Sequence, residues 1–93
     1  MSEGRREAQA GTLESADILI TIALTEPGAG LQIDLVSPTM KQYGAMIRQV
    51  IEKVLTANGI ADAMVHANDK GALDYTIEAR MQTAIDRAVG KGC

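Results

Sequence analysis

A run of alternating side chains near the start of the chain places the strongest constraint on its fold. Over residues 17–24 every second residue is a large aliphatic one, and several are β-branched. This period of two is typical of a β-strand with one buried face, because successive side chains of a strand point to opposite sides of the sheet. The buried face of this first strand consists of Ile18, Ile20, Ile22 and Leu24. The fold therefore needs a second layer that covers this face.

Two further segments continue the alternation. Residues 31–36 place leucine and isoleucine on the inward side of a second strand, and residues 61–68 place small apolar side chains on the inward side of a third. Between the first two strands, residues 26–30 contain a proline and two glycines, which favour a tight turn. The first and second strands are therefore predicted to form a hairpin.

A helical period replaces the alternation over residues 38–57. Ser37 and Pro38 have the form of an N-cap followed by proline at the first helical position, and Asn58 with Gly59 provides a stop. The spacing predicts a helix with one apolar stripe. The stripe comprises Tyr43, Ile47, Val50, Ile51, Val54 and Leu55.

Residues 72–89 fit two different structures. Alternation favours a fourth strand over residues 72–79, followed by a helix over 80–89 that Gly90 ends. The competing interpretation is a single helix over 72–89, because Ile77, Met81, Ala84, Ile85 and Ala88 also form a helical stripe. We favour the strand and short helix, since the alternation continues the pattern of the preceding segments.

The predicted fold class is α+β. It is a single small domain in which an antiparallel four-stranded sheet carries two helices on one face, in the order ββαββα. Residues 1–10 are polar and without a period, and they are predicted to form a mobile N-terminal arm. The domain is predicted to occupy residues 11–90, and residues 91–93 to form a C-terminal tail.

Composition excludes several functional classes. At 93 residues the chain has room for one domain, too small to enclose a deep substrate pocket and keep a core, so it is not expected to be an enzyme on its own. The net charge of −3 and the presence of only two aromatic residues, both tyrosines, argue against a nucleic-acid partner. The longest nearly apolar run has seven residues, far short of the ~20 that a membrane span needs. The single cysteine and the absence of a signal-like segment predict a cytoplasmic protein.

Residue types that usually form metal or catalytic sites are scarce. One histidine and one cysteine do not make a zinc site, so His66 is interpreted as a surface residue and Cys93 as part of the tail. Gly28 and Gly30 lie between two strands rather than between a strand and a helix, so they are not expected to bind phosphate.

The charged side chains of the second half are interpreted as surface groups. The acidic residues Asp62, Asp69 and Asp74 flank a turn and are expected to be solvated, with the alternative that one of them caps or braces the loop. Arg80 and Arg87 on the last helix are expected to pair at the surface with Glu78 or Asp86.

A serine remains as the candidate site. Ser15 lies directly before the first strand, in the segment Gly-Thr-Leu-Glu-Ser-Ala-Asp of residues 11–17, where the serine sits between acidic residues with small residues on both sides. A serine hydroxyl needs an adjacent base to act as a nucleophile, and the chain does not visibly supply one. From the residues alone, Ser15 is most simply a turn residue at the strand entry, and modification by another enzyme is the less favoured alternative.

Three stretches of the chain resemble the acyl carrier (γ) subunit of citrate lyase. They are Ala-Gly-Thr-Leu-Glu-Ser at residues 10–15 with Asp17, Leu-Gln-Ile-Asp at 31–34, and Asp-Lys-Gly-Ala-Leu-Asp at 69–74 with Ala79 and Arg80 soon after. The resemblance spans residues 10–88 in the expected order and spacing. It implies that residues 11–90 are an acyl carrier domain.

The resemblance also implies a site and a mechanism. Ser15 would carry 2'-(5''-phosphoribosyl)-3'-dephospho-CoA, attached by a transferase through a phosphodiester. In the family the cofactor thiol carries an acetyl thioester, the α subunit exchanges acetate for citrate, and the β subunit cleaves the citryl thioester to oxaloacetate during citrate fermentation. The chain would supply the tether and no catalytic side chain. A tether raises the effective concentration of the thioester at both active sites.

Two alternative assignments and one hypothesis about docking accompany this resemblance. The carrier subunit of malonate decarboxylase uses the same kind of prosthetic group and is the alternative within the class. A small β-rich interaction module without a cofactor is the alternative outside it. Glu14 and Asp17, beside the arm, would steer docking to basic partner surfaces, a hypothesis that charge reversal at both positions tests.

Overall fold

Four strands and two helices make up the part of the chain that the computed structural model describes, residues 7–90. In chain order they are β1 (Glu7–Ala10), β2 (Ile18–Leu24), β3 (Leu31–Val36), α1 (Met40–Ala57), β4 (Ala63–Asp69) and α2 (Asp74–Ala88). The α+β class, the four-stranded sheet and the two helices agree with the sequence-based prediction. The pairing of the strands and the identity of one strand differ from it.

The sheet is mixed rather than purely antiparallel. Its strand order is β1-β2-β4-β3, and β2 pairs antiparallel with both β1 and β4, whereas β3 pairs parallel with β4. Parallel neighbours need a long crossover connection, and the 18-residue helix α1 supplies it between β3 and β4. The prediction of an antiparallel sheet is therefore wrong at this edge.

The predicted hairpin of β2 and β3 is also wrong, because β4 lies between the two strands. The connecting loop crosses the start of β4 and is held there by one carboxylate. Asp62 Oδ1 accepts hydrogen bonds from the backbone N–H groups of Gly28 and Gly30, at 3.0 and 2.8 Å. The Asp62 carbonyl accepts a further bond from Thr25 N at 3.3 Å. The sequence identified the residues of this turn, but the turn carries the chain across β4 instead of joining two neighbouring strands in a hairpin.

Part of the expected mobile arm is an edge strand. Residues 7–10 form β1, which pairs with β2 from Glu7 opposite Ala23 to Ala10 opposite Ile20. Its alternate alanines face the core, and helix α2 holds it through Arg87, whose Nη1 donates to the Gln9 carbonyl at 2.8 Å. The rest of the arm, residues 1–6, and the tail, residues 91–93, lie outside the described residues.

The segment 72–79 is the start of a helix and not a strand. Helix α2 begins at Asp74 and continues to Ala88, so the competing interpretation of residues 72–89 was the better one. Its buried residues are those of the helical stripe, whereas Leu73 and Tyr75, which a strand would have turned inward with Ile77, are mostly exposed. Helix α1 begins at Met40, after Thr39 as its N-cap, rather than at Pro38.

Both helices pack on one face of the sheet. The inward residues of the two central strands are buried and alternate with more exposed ones, as the alternation predicts. The core joins this face to the stripes of both helices, with the exception of Tyr43 of the α1 stripe, which is 50% exposed. The opposite face of the sheet is open, with Gln32, Asp34, Met64 and His66 exposed. Neither helix within residues 7–90 combines the length and hydropathy that crossing a bilayer requires.

Candidate functional site

Three loops meet at one end of the sheet, and Ser15 lies in the first of them. They are residues 11–17 between β1 and β2, residues 37–39 between β3 and α1, and residues 70–73 between β4 and α2. The pairing of Ile18 with Asp69 and of Val36 with Asn68 places all three at the same edge. Both helices also begin here. The sequence predicted the first of these loops as the candidate site, and the fold surrounds it with the other two.

Ser15 occupies the tip of a tight turn. The N–H of Asp17 donates to the Glu14 carbonyl at 3.1 Å, and Ala16 adopts a left-handed conformation with φ of 65°. Ser15 is exposed, and its hydroxyl forms no hydrogen bond with another of the residues 7–90. The turn therefore presents the hydroxyl to solvent.

Gly11 sets the entry to this turn. Its φ is +96°, a conformation that favours glycine, and a Cβ at this position would collide with the carbonyl oxygen of Ile18. The backbone of the loop therefore lies directly against the first residue of β2. Another residue here would have to displace the start of the central strand.

Asp17 holds the other side of the turn. Its carboxylate accepts two hydrogen bonds from Arg80 on α2, from Nε at 2.9 Å and from Nη2 at 3.2 Å. Thr12 Oγ1 donates to it at 2.8 Å, and the N–H of Ile18 at 2.7 Å. The hydrogen bond from Arg80 is the main reason why the pKa of Asp17 falls from 3.8 to about 2, because these donors stabilise the ionised form more than partial burial destabilises it. The loop is thus clamped to the final helix.

The 69–74 segment braces the turn from the other side. The N–H of Ala16 donates to the Lys70 carbonyl at 2.8 Å, and the N–H of Lys70 donates to the Asp17 carbonyl at 2.9 Å. Asp69 is 1% exposed, and its carboxylate accepts from the Ser37 hydroxyl at 2.8 Å and from the N–H of Ala72 at 2.9 Å. One buried carboxylate therefore joins the second and third loops, and backbone bonds join the third loop to the first.

A groove of about 440 Å³ opens beside this junction, between the first turns of the two helices. We call it the inter-helix groove. Its apolar walls contain side chains that remain substantially exposed, among them Tyr43 at 50% and Leu73 at 56%. Its lining comprises Thr39, Tyr43, Met46, Ile47, Asp69, Gly71, Ala72, Leu73 and Asp74.

The structure corrects the roles expected for several charged residues. Asp17 is occupied by Arg80 and is not a free charge for steering, whereas Glu14 is exposed. Asp69 is buried rather than solvated, and Arg80 does not pair with Glu78 or Asp86.

Three other charged residues also have partners that differ from those expected from the sequence. Glu78 pairs instead with Lys53 at 3.2 Å, and Arg87 binds a backbone carbonyl. Asp62 anchors the crossing loop. His66 lies on the open face of the sheet, as expected for a surface residue. Residues 7–90 contain no group of three or more His, Cys, Asp or Glu side chains placed to hold a metal ion.

The clamp between Asp17 and Arg80 was the part of the site that sequence reasoning missed. The two residues are 63 positions apart, so no local spacing links them. Both residues lie in the stretches that resemble the citrate lyase carrier subunit. That resemblance was the one feature of the sequence that could have linked them.

Comparison with protein families places the chain in a class. Residues 5–88 match the acyl carrier family described as malonate decarboxylase delta subunit (MdcD). The matched region includes every strand and both helices. The chain is thus an acyl carrier protein of this class.

Individual relatives narrow the class further. The citrate lyase acyl carrier protein of Streptococcus uberis is 51% identical over 84 residues, which cover 89% of this chain and 80% of that protein. The one from Lacticaseibacillus casei is 51% identical over 86 residues, with coverages of 92% and 83%. That of Halothermothrix orenii is 41% identical over 86 residues, with coverages of 92% and 89%. The chain belongs to the citrate lyase acyl carrier protein family, as the resemblance indicated.

The fold has a solved counterpart. A chain in the crystal structure of a Pseudomonas malonate decarboxylase hetero-tetramer in complex with malonate superimposes with a TM-score of 0.68, covering 89% of this chain and 84% of that chain. The sequence identity is 17%, so this likeness concerns the fold alone.

Proposed function

We propose that the chain is the acyl carrier subunit of a citrate lyase and that Ser15 is the attachment point of its prosthetic group, 2'-(5''-phosphoribosyl)-3'-dephospho-CoA. The observation that carries the proposal is the presentation of Ser15. Its hydroxyl is exposed and unpaired within residues 7–90, at the tip of a turn that Gly11, Asp17 and Arg80 hold in place. A hydroxyl that only stabilised the turn would accept or donate a bond within it.

The residues around Ser15 fit a phosphodiester. Attachment forms a bond between the serine oxygen and phosphorus, breaks a phosphoanhydride bond of an activated donor whose phosphate leaving group departs, and transfers the hydroxyl proton to a base. A modifying transferase would have to supply the base, because no described side chain accepts a hydrogen bond from this hydroxyl. Lys70 is exposed, forms no ion pair within residues 7–90 and has its backbone bonded to both Ala16 and Asp17. Lys70 thus supplies an exposed positive charge in the loop that is hydrogen-bonded to the Ser15 turn, which suits an anionic group attached there.

The prosthetic group supplies the thiol on which acyl groups are carried as thioesters. The chain itself contributes position. The clamped turn fixes the place at which a group on Ser15 leaves the surface. The chain is therefore a non-catalytic subunit, and the α (acyl transferase) and β (citryl lyase) subunits provide the active sites. All steps take place in the cytoplasm.

Intact-mass measurement tests the attachment. Protein purified from its own host in citrate-fermenting cells is expected to carry the added mass of one prosthetic group, and Ser15→Ala is expected to abolish it. Thr56→Ala is the matched control, because Thr56 is an exposed hydroxyl residue near the far end of α1 whose side chain forms no hydrogen bond within residues 7–90. An unmodified wild-type mass in such cells contradicts the proposal, as does full modification of the Ser15→Ala protein.

A carrier subunit of malonate decarboxylase is the second candidate. The description of the matched family and the fold of the Pseudomonas chain favour keeping it. Purification of the tagged chain from its host distinguishes the two assignments. Recovery with two larger subunits and citrate-cleaving activity supports the citrate lyase assignment, and recovery with a malonate-decarboxylating assembly replaces it.

A further inference from the structure

The sheet has two free edges, formed by β1 and β3, because its strand order is β1-β2-β4-β3. An edge strand presents unpaired N–H and C=O groups, on which a strand of another chain can add to the sheet. β3 offers six residues for such pairing, and two of its aliphatic side chains are exposed, Leu31 at 38% and Val36 at 53%. Strand addition is therefore a contact that this fold has either to use or to prevent.

The hydrogen bonds of β3 show which of its carbonyls point away from the sheet. The N–H of Ala63, at the start of β4, donates to the Gly30 carbonyl at 3.1 Å. Since the backbone groups of successive residues point to opposite sides of a strand, the even-numbered residues of β3 bond to β4. The backbone groups of Leu31, Ile33 and Leu35 point outward. Ile33 therefore carries the central outward carbonyl of this edge.

The outward carbonyls of β1 follow from the hydrogen bonds of its neighbour β2. The N–H of Lys70 donates to the Asp17 carbonyl at 2.9 Å, so the odd-numbered residues of β2 bond to β4 and the even-numbered ones bond to β1. Gln9 lies opposite the odd-numbered Thr21, so the backbone groups of Gln9 point away from β2. The Gln9 carbonyl is therefore an outward acceptor on the second free edge.

One arginine occupies each of these two outward carbonyls. Nη1 of Arg48 on α1 donates to the Ile33 carbonyl at 2.7 Å, and Nη1 of Arg87 on α2 donates to the Gln9 carbonyl at 2.8 Å. A hydrogen bond from a charged guanidinium is stronger than one from a neutral backbone N–H. An added strand offers only backbone N–H groups to these carbonyls, so it would have to displace the stronger donor.

We infer that Arg48 and Arg87 close the two edges of the sheet against strand addition, and so keep the carrier from pairing edge to edge with a second copy of its own chain. The inference does not depend on the proposed function. It bears on the candidate site, because β1 ends at Ala10 and leads directly into the turn that holds Ser15. A strand added to β1 would lie beside the start of this turn and restrict access to it.

Self-association of the full chain tests the inference. The double variant Arg48→Gln/Arg87→Gln removes both charged donors from exposed side chains, so it is expected to fold, which circular dichroism checks. Sedimentation velocity over a range of protein concentrations measures the dimer dissociation constant. The wild type is expected to sediment as a single chain. In the double variant the dimer dissociation constant is expected to fall by about tenfold or more, because the loss of a charged hydrogen bond at an edge corresponds to a factor of this order.

A matched double variant controls for net charge. Lys41→Gln/Lys53→Gln removes the same two positive charges from exposed lysines that donate to no backbone carbonyl within residues 7–90. This variant is expected to sediment as the wild type does.

Amide hydrogen exchange identifies the edge that pairs, since each single variant uncovers one edge only. In Arg48→Gln the N–H of Ile33 is expected to exchange at least about tenfold more slowly at high protein concentration than at low concentration. In Arg87→Gln the same slowing is expected at the N–H of Gln9 instead.

Each possible outcome decides for or against the inference. A folded double arginine variant that stays a single chain overturns it, and so does equal self-association of the lysine control. Association without slowed exchange at Ile33 or Gln9 also overturns it, because the contact then lies elsewhere on the surface. If the double variant does not fold, the two single variants decide by the same measurements.

Discussion

The clamp between Asp17 and Arg80 yields a quantitative prediction for Asp17→Asn. The substitution removes the charge while keeping the size of the side chain. One oxygen can still accept from Ile18 and from Arg80 Nε, but the new NH₂ group faces the Nη2 donor of Arg80. The variant therefore loses the ion pair and gains an unfavourable contact between donors.

The size of the effect follows from the pKa of Asp17. A fall from 3.8 to about 2 corresponds to roughly 2.5 kcal/mol of preference for the ionised form in the folded state, at 1.36 kcal/mol per pKa unit. The Arg80 side chain is 42% exposed, so solvent screening reduces this to about 1 to 2 kcal/mol. For a domain of this size the melting temperature is expected to fall by about 5 to 15 °C at pH 7.

The pH dependence has a definite sign. The pKa is lower in the folded protein than in the unfolded one, so the stabilisation is complete above pH ~4 and is lost as the pH falls towards about 2. The free energies of unfolding of wild type and Asp17→Asn are therefore expected to differ most at pH 5 to 7 and to converge near pH 2. Urea titrations followed by circular dichroism at several pH values measure this difference.

Asp34→Asn is the matched control, because Asp34 is an exposed aspartate on the open face of the sheet and its side chain forms no hydrogen bond within residues 7–90. Its loss of stability is expected to be below about 0.5 kcal/mol. If Asp17→Asn and Asp34→Asn lose the same stability at pH 7, or if the gap between Asp17→Asn and wild type is unchanged at pH 2, the clamp does not stabilise the fold as argued.

Three further predictions concern the loops. Gly11→Ala is expected to cost more than about 2 kcal/mol of unfolding free energy, because its Cβ would collide with the Ile18 carbonyl. Gly28→Ala has a similar φ but its Cβ would lie in open space, so its expected cost is about 1 kcal/mol. Similar urea midpoints for the two variants would refute the collision. Asp62→Ala removes the acceptor of two backbone N–H donors in the loop between β2 and β3. The free energy of unfolding, measured in urea, is expected to fall by about 1 to 2 kcal/mol. A fall below about 0.3 kcal/mol would mean that water replaces the carboxylate fully. Ser15→Ala is expected to leave the unfolding free energy within about 0.5 kcal/mol of wild type, and a larger loss in thermal melts would assign a structural role to the hydroxyl.

The spacing of apolar residues along the chain predicted the strands and helices in which that spacing alone determines which side chains are buried. The first alternating run became β2, and the apolar stripe of residues 38–57 became α1, with an error of two residues at its start. Leu31 on β3 is more exposed than the alternation indicated, because β3 is an edge strand. Periodicity did not distinguish strand from helix at residues 72–79, where Ile77 fits both patterns and tertiary packing decides.

Features that depend on distant pairing could not be obtained from periodicity. β1 is a short strand of small and polar residues, and it becomes ordered by pairing with β2 and contacting α2. β3 pairs parallel with β4 because β4 lies between β2 and β3 in the sheet. No turn residue specifies this position of β4. In the site, the motif around Ser15 was found by resemblance, whereas the burial of Asp69 required the fold.

The clamp on the Ser15 turn also has a consequence for biosynthesis. Asp17 leaves the ribosome long before Arg80, which is 63 residues further along the chain. A nascent chain that ends before helix α2 lacks the guanidinium that fixes the turn, and it lacks the helix that covers β1 and β2. The turn therefore acquires its clamp only after helix α2 has been made. A transferase that recognises the clamped turn, as the proposal for Ser15 requires, would act on the folded domain and not on a shorter nascent chain.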